Sequence, residues 1–384
     1  MSFTLDEVTF LRDNLQRISA LGPDLELTPN TLIRDRKALE KEFGDHARVV
    51  SELLAAQRNA HGKMPNHWLT DSDAAQQATP QLVAEYRAQL IIDIGATTVH
   101  DVTCSVGSEG ASIRRKQLAW IGSDLDCVRL AMAQTNLSDA HVLLCQADAL
   151  HPISSADVIV ADPARRANGR RITDPAKLLP PLPDLVDAHR GRELAVKCAP
   201  GIDYSEWGGL VSVASVDGGV KETCLYTEGF GTNIREAVVL RMDGTQERVR
   251  SNEPDDTTIA EPGTWMIEPD GAIIRAGLVR HWAHRHKLWM VDPHIAFLTG
   301  DELPPNSSGF RLVEAVPFKR LKAALTKYQA GALEILVRGV DVNPDQLRKK
   351  LKLKGCRQMA VLIARTGSSP TAYICEARQH QRVG

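Results

Sequence analysis

Four aspartates, Asp101, Asp124, Asp148 and Asp162, stand at the ends of short apolar runs in the first half of the chain. The runs Thr97 to Val102 and Ala156 to Ala161 are short and β-branched, the pattern of parallel strands buried on both faces. Ligands of open α/β sheets bind outside the carboxyl ends of such strands. Two loops are therefore the first candidates for chemistry: Asp101-Val102-Thr103-Cys104-Ser105-Val106-Gly107 and Asp162-Pro163-Ala164-Arg165-Arg166. The first lacks the G-x-G-x-x-G that admits a pyrophosphate against a helix N-terminus, with only Ser105 and Gly107 small in those places. A leading acid with one glycine suits a ligand with a charged amino-acid end and no phosphate. Asp101 can accept from an ammonium group, and a turn at Ser105 to Gly107 lets the backbone approach closely, with serine expected to hold it at negative φ.

The next run ends in G-S-D-L-D, placing Asp124 where an acid takes the two hydroxyls of a ribose. The third ends in Q-A-D-A, where Asp148 suits the exocyclic amine of an adenine. Thr103, Leu125 and Ala149 complete this candidate set. Acids at three successive strand ends, with an adenosine-sized gap, fit S-adenosylmethionine better than NAD or ATP. Cys198, in K-C-A-P, has no general-base partner in its vicinity and reads as a buried thiol rather than a nucleophile. The basic loop Arg165, Arg166, Arg170 and Arg171, with Asn168-Gly169 at its tip, could hold a substrate phosphate beside the reacting centre or simply be solvated.

The elements that must position these residues follow from periodicity. Residues 1–90 read as helical, with apolar positions at helical spacing in Val8, Leu11, Leu15 and Ile18 and again in Leu39, Phe43, Val49 and Leu53. Thr79 reads as an N-cap and Pro80 as the first position of the helix that leads to the sheet. Residues 91–250 alternate strand and helix, with strands near 97–102, 118–123, 141–145, 156–161 and 193–198, which is the pattern of a doubly wound sheet. A hairpin turning at Asp217-Gly218-Gly219 closes it, and Glu236 to Met242 offers a further antiparallel strand. Residues 251–309 begin S-N-E-P-D-D-T-T-I-A-E-P and read as a connector with a helix over Arg275 to Met290. Residues 310–384 read as a compact α/β module. Its second helix is marked by Asn343 at the N-cap, Pro344, Gln346 completing a capping box, and Gly355 past the end.

The 384 residues make more than one domain the expectation, and 43% apolar with 24% charged composition is that of a soluble globular protein. No stretch approaches the roughly 18 apolar residues of a membrane span, and the first residues have no signal-peptide order, so a cytoplasmic location is expected. Seven cysteines without C-x-x-C spacing read mostly as buried free thiols, and His281, His284 and His286 as a solvated helix face. No metal site is expected. The net charge of −2 hides an asymmetry: residues 318–384 hold fourteen Lys/Arg against four acids, a net +10, leaving −12 on the remainder. A basic module on an acidic body points to an anionic polymer as partner.

D-V-T-C-S-V-G, S-D-L-D, Q-A-D-A and A-D-P-A-R-R resemble the successive motifs of class I S-adenosylmethionine-dependent methyltransferases. V-K-C-A-P-G-I-D at 196–203, V-D-G-G-V-K-E at 216–222 and R-G-V-D-V-N-P-D-Q-L-R-K-K-L-K-L-K-G at 338–355 are similar to the bacterial members that carry a C-terminal THUMP-like domain. Where that family reads D-L-T-C-G-I-G-G-D, this chain has Ser105 for a glycine and Ser108-Glu109 for Gly-Asp. The resemblance implies a seven-stranded Rossmann-like sheet, a helical N-terminal region and a small THUMP-like α/β domain. It further implies methyl transfer to a base nitrogen in structured RNA, transfer RNA first. Asp162 and Pro163 occupy the place of the D-P-P-Y loop of amino-group methyltransferases, where the acid and a proline carbonyl accept hydrogen bonds from the amine. Arg165 replaces the aromatic and can stack on a base or hold a phosphate. Lys197, Arg348, Lys349 and Lys350 join Arg166, Arg170 and Arg171 as candidate substrate contacts. Two other readings remain: a small-molecule or protein methyltransferase, and a non-catalytic RNA-binding protein that has lost the cofactor.

Overall fold

The computed structural model describes residues 3–138, 142–164, 166–167, 170–367 and 369–381. The chain separates into two compact units, Met1–Ile234 with Val238–Glu247, and Arg235–Ala237 with Arg248–Gly384.

The first unit opens with α1 (Leu5–Asp13), α2 (Leu15–Leu21), α3 (Leu32–Phe43), α4 (Ala47–Asn59), α5 (Ser72–Gln77) and α6 (Gln81–Asp93). Thr4 and Glu7 cap α1 reciprocally, and Leu11, Leu39 and Leu53 turn inward at helical spacing to build a core with Val99, Val158 and Val160 of the sheet. Helix α6 begins one residue later than the sequence suggests: Pro80 is its N-cap, and the buried hydroxyl of Thr79 caps nothing.

The sheet follows as β1 (Thr98–Asp101), α7 (Ser108–Arg115), β2 (Ala119–Asp124), α8 (Cys127–Asn136), β3 (Leu143–Gln146) and β4 (Val158–Ala161). Next come a short hairpin of β5 (Arg166–Ala167) and β6 (Arg170–Arg171), helix α9 (Leu182–Ala188), β7 (Glu193–Cys198), β8 (Leu210–Val216) and β9 (Gly219–Tyr226). Strands β10 (Ile234–Leu240) and β11 (Gln246–Arg250) complete the order β11-β10-β8-β9-β7-β4-β1-β2-β3. The sheet thus has nine strands where the resemblance implies seven: β10 answers to the further antiparallel strand read at Glu236 to Met242, and β11 is added beyond it. Strands β3, β2, β1, β4 and β7 run parallel, while β9 pairs antiparallel with both β7 and β8. Side chains alternate across β4: Val158 and Val160 face the N-terminal helices, and Ile159 and Ala161 join Leu182, Leu185 and Val196 on the other side. The chain order reverses between β1 and β4, so their carboxyl ends flank the crevice where an open sheet takes its ligand.

In the second unit, β12 (Trp265–Ile267), α10 (Gly271–Arg275), α11 (Val279–Arg285), β13 (Trp289–Met290) and β14 (Leu298–Gly300) precede β15 (Ser307–Pro317). The segment expected as a connector therefore supplies three strands, which pair into the sheet that contains β15. The single helix expected over Arg275 to Met290 is broken because Gly277 at φ +70 and Lys287 at φ +54 take the left-handed conformation. His281 is buried with Nε2 3.2 Å from the Ser251 carbonyl, and His284 Nδ1 lies 2.7 Å from Asp256, so these histidines are not simply solvated. The rest comprises α12 (Leu321–Lys327), β16 (Ala330–Arg338), α13 (Pro344–Leu351), β17 (Arg357–Thr366), β18 (Ser369–Glu376) and β19 (Gln379–Gln381). Helices α12 and α13 cover one face of this sheet through Leu321, Leu325 and Leu351. On the other side, Met266, Phe297 and Phe310 pack into a second core with Ala360, Leu362 and Ala364. Asn343 caps α13 by accepting from Asp345 and Gln346 N–H, but the helix ends at left-handed Lys352 rather than at Gly355.

Candidate active site

Asp101 closes β1 almost fully buried, and its Oδ1 accepts from Thr103 N–H at 3.2 Å. Burial pushes its carboxyl up to about 7. Lys197 and the Thr103 N–H oppose that rise, while Glu109 and Asp162 reinforce it. Beyond Asp101 the chain must turn sharply into α7. Ser105 makes that turn at φ +50, not at the negative φ expected of it. A side chain in this region is disfavoured by about 1–2 kcal/mol. The turn is held nonetheless, because Ser105 N–H donates to Asp124 Oδ2 at 2.9 Å and Arg129 Nη1 donates to Ser105 Oγ at 3.3 Å. Gly107, at φ +84, is the N-cap of α7, and a Cβ there would sit 2.8 Å from Leu137 Cδ1.

At the end of β2, Asp124 Oδ1 accepts from Asp126 N–H at 3.0 Å, so both of its oxygens organise backbone while each keeps a further lone pair. Leu125 beside it is 66% exposed and offers an apolar face at the same strand end. Gln146 Nε2 donates to the Leu125 carbonyl at 2.9 Å, tying the end of β3 to this loop. Asp148 is partly exposed and accepts from Leu150 N–H at 2.9 Å, and buried Ala149 has its carbonyl 2.8 Å from His189 Nε2. Among the cofactor candidates, the structure thus links Asp101 to Thr103 and Ser105 to Asp124 by direct hydrogen bonds.

Strand β4 delivers Asp162 to this edge. Its N–H donates to Thr103 Oγ1 at 2.6 Å, joining the two loops, and Lys197 Nζ lies 2.8 Å from Asp162 Oδ2. Lys197 was a candidate substrate contact. The structure buries it at the foot of the site, with Glu109 Oε2 3.4 Å from the same ammonium. Glu109 Oε1 accepts from Arg87 Nε at 2.7 Å, and Arg87 Nη2 donates to Glu222 Oε1 at 2.7 Å. Arg87 Nη1 reaches Cys224 Sγ at 2.9 Å and Tyr226 Oη at 3.4 Å. Arg87, Glu109, Lys197 and Glu222 are all buried, so the charge chain Glu222–Arg87–Glu109–Lys197–Asp162 runs through the interior. Burial alone would discharge its members, but each partner holds the next charged: Asp162 and Glu109 raise the pKa of Lys197, and Arg87 with Lys197 lowers that of Glu109.

Sequence reasoning placed neither Arg87 nor Glu222 in a site and noted Glu109 only as a departure from a family pattern. The signal available was an arginine four residues from both Val83 and Ile91, on the apolar face of α6. Pro163 is buried, and Ala164 N–H donates to the Leu179 carbonyl at 2.8 Å. Arg165, Asn168 and Gly169 lie outside the described residues, while Arg166, Arg170 and Arg171 are described as the backbone of β5 and β6. Cys198 is buried, its Sγ 3.7 Å from the Val196 carbonyl, and Cys104, Cys224 and Cys375 are buried too. Cys127, Cys145 and Cys356 are exposed. In the second unit, Arg348, Lys349 and Lys350 are exposed on α13, with Arg348 engaged by Asp345 at 2.7 Å.

The donor set fits S-adenosylmethionine: acids at three successive strand ends, an apolar surface at Leu125, and a first loop without the glycines a pyrophosphate requires. No described helix is long and apolar enough to cross a membrane. A family model described as THUMP domain-like matches residues 308–377. The chain is similar to an uncharacterised S-adenosylmethionine-dependent methyltransferase of Mycobacterium tuberculosis, in its CDC 1551 and H37Rv strains alike. The identity is 44% over 359 residues, covering 88% of this chain and 99% of the relative. The fold is shared with a crystal structure of a protein designated a methyltransferase from Porphyromonas gingivalis W83, at a TM-score of 0.74 and 18% identity. That match covers 99% of this chain and 100% of the other. With these strand-end acids and this identity along most of its length, the chain belongs to the S-adenosylmethionine-dependent methyltransferases and ends in a THUMP-like domain.

Proposed function

We propose that the enzyme methylates a nitrogen of a base in structured RNA, with transfer RNA as the favoured species and the cytoplasm as its location. Asp162 is the observation that carries this reading. Its main chain hangs on Thr103 and its carboxylate is held by a buried lysine at 2.8 Å. A carboxylate held in this way is fixed in place, so it can accept an N–H from an exocyclic amine and turn the nitrogen lone pair toward the methyl donor, with the Pro163 carbonyl as second acceptor. Rate acceleration then rests chiefly on alignment and exclusion of water rather than on a strong base.

Asp101 would hold the ammonium end of the cofactor, Asp124 the ribose hydroxyls, Leu125 the face of the adenine, and Asp148 with Ala149 its amine edge. Thr103, Ser105 and Gly107 shape the loop between them. When bound, S-adenosylmethionine supplies a methyl group already activated on a sulfonium. Asp162, Glu109 and Glu222 outnumber Lys197 and Arg87, and this excess of buried negative charge suits a cationic ligand. Arg165, Arg166, Arg170 and Arg171 leave the same strand end and would hold a substrate phosphate. RNA as the substrate is supported by the THUMP-like match and by the +10 charge of residues 318–384.

Mass-spectrometric comparison of modified nucleosides in total RNA, with and without the gene, tests the reading. One methylated nucleoside should disappear on deletion. Asp162→Ala should lower methyl transfer to that RNA by at least about 100-fold, the scale of a lost positioning or acid–base group, while S-adenosylmethionine affinity by calorimetry stays nearly intact. Unchanged turnover would remove Asp162 from the site.

A further inference from the structure

We propose that a cleft of about 540 Å³ between α12, with the turn that follows it, and the chain leaving α13 binds the phosphodiester backbone of RNA, an inference that rests on the RNA reading above and gives it a location. Its volume falls within the roughly 300–1,000 Å³ of ligand-binding clefts. Lys322, Lys352 and Lys354 line it around an apolar floor of Ala330, Leu351 and Leu353, and no acid lines it. All three lysines are exposed, and none has an ion-pair partner among the described residues. The surroundings carry the same sign. Residues 318–327 and 344–357 together hold ten Lys/Arg against a single acid, Asp345, which is itself engaged by Arg348. An unneutralised cationic cleft of this kind matches phosphate oxygens, for which lysine is a point-charge partner.

The walls are fixed before any ligand arrives. Gly355 packs so tightly on the turn before β16 that a Cβ there would lie 1.9 Å from the Gln329 carbonyl oxygen, and one on Gly331 would lie 2.2 Å from that of Gly355. Gly355 N–H donates to the Ala330 carbonyl and Arg357 N–H to that of Gln329. Two residues of the lining, Gln329 at φ +56 and Lys352 at φ +47, hold left-handed conformations that side chains rarely adopt. Strain of that kind, kept in place by tight packing, is characteristic of preorganised binding surfaces. This arrangement also gives Gly355 a purpose other than the helix stop it resembles in the sequence: it pins the loop that presents Lys352 and Lys354.

The test is fluorescence anisotropy of the full chain with a fluorescein-labelled stem–loop RNA across a salt series. Lys322→Gln/Lys352→Gln/Lys354→Gln should weaken binding about tenfold or more and flatten the dependence of log K on log salt by about 2–3, near one for each phosphate no longer neutralised. Lys37→Gln/Lys41→Gln, a pair of exposed lysines on α3 of the first unit, should change affinity by less than about threefold. The substituted lysines are exposed, so both variants should melt as the parent does. If the parent binds and the triple variant keeps its affinity and slope, the cleft proposal falls and the RNA reading stands. If the parent binds no RNA at all, both fall.

Discussion

At Asp101, burial retains a proton that an ordinary carboxyl releases near 3.8, moving its titration up to about 7. The stability this proton contributes is complete below the ordinary value and is lost as pH rises through about 7, because over that window the folded chain holds a proton the unfolded chain has given up. A cationic ligand group has the opposite preference, since it favours the ionised form. S-adenosylmethionine should therefore bind about tenfold more tightly at pH 8 than at pH 6 if Asp101 meets its ammonium, a factor set by a single linked proton. Calorimetry on the parent and on Asp101→Asn checks this. The ligand's own amine titrates equally against both proteins, so an identical pH dependence in the two would exclude Asp101 as the partner. The acids at strand ends were legible in the sequence because Asp101, Asp124 and Asp162 each follow a short apolar run. The conformation of Ser105 was not, because its positive φ is imposed by hydrogen bonds to Asp124 and Arg129 that no local pattern announces. The partners of Lys197 are illegible for a related reason: K-C-A-P marks the lysine but does not disclose that two carboxylates wait for it inside the fold.

Between elements, the buried charge chain joins α6, α7, β7 and β9 beneath the Asp162 loop. Arg87→Met would leave Glu109 without its nearest partner and Glu222 without its 2.7 Å ion pair, two carboxylates in a dry interior. The expected loss is about 3–5 kcal/mol of stability in urea unfolding. A loss below about 1 kcal/mol would mean that the carboxylates are hydrated or protonated and that the chain is not held as a unit. The strands of the parallel sheet could be read from their β-branched runs, and the hairpin from Asp217-Gly218-Gly219, whose first two residues take positive φ. Strands β12, β13 and β14 escaped notice because they are two or three residues long, too short for any period to show. They form strands because partners remote in sequence complete their ladders. The start of α6 and the end of α13 were misjudged by one and a few residues, the scale at which caps and turns compete.

For the molecule as a whole, two units with separate cores make two cooperative blocks a natural expectation. The strand-end acids all lie in the first unit. Saturation with S-adenosylmethionine at a hundredfold excess over Kd should stabilise that unit by about 2.7 kcal/mol and leave the second in place. Scanning calorimetry should then show one transition moving and one standing still. A uniform shift of both would mean that the blocks unfold as one. The charge chain bears on how the chain is made as well as on how it works. Arg87 meets Glu222 from 135 positions away along the sequence, so a growing chain that has already emitted all four strand-end aspartates still lacks the carboxylate its buried arginine needs. The Asp162 loop therefore reaches its final electrostatic setting only when β9 emerges. A nascent chain halted before that hairpin holds the strand-end acids but has no dry, neutralised interior in which to set them.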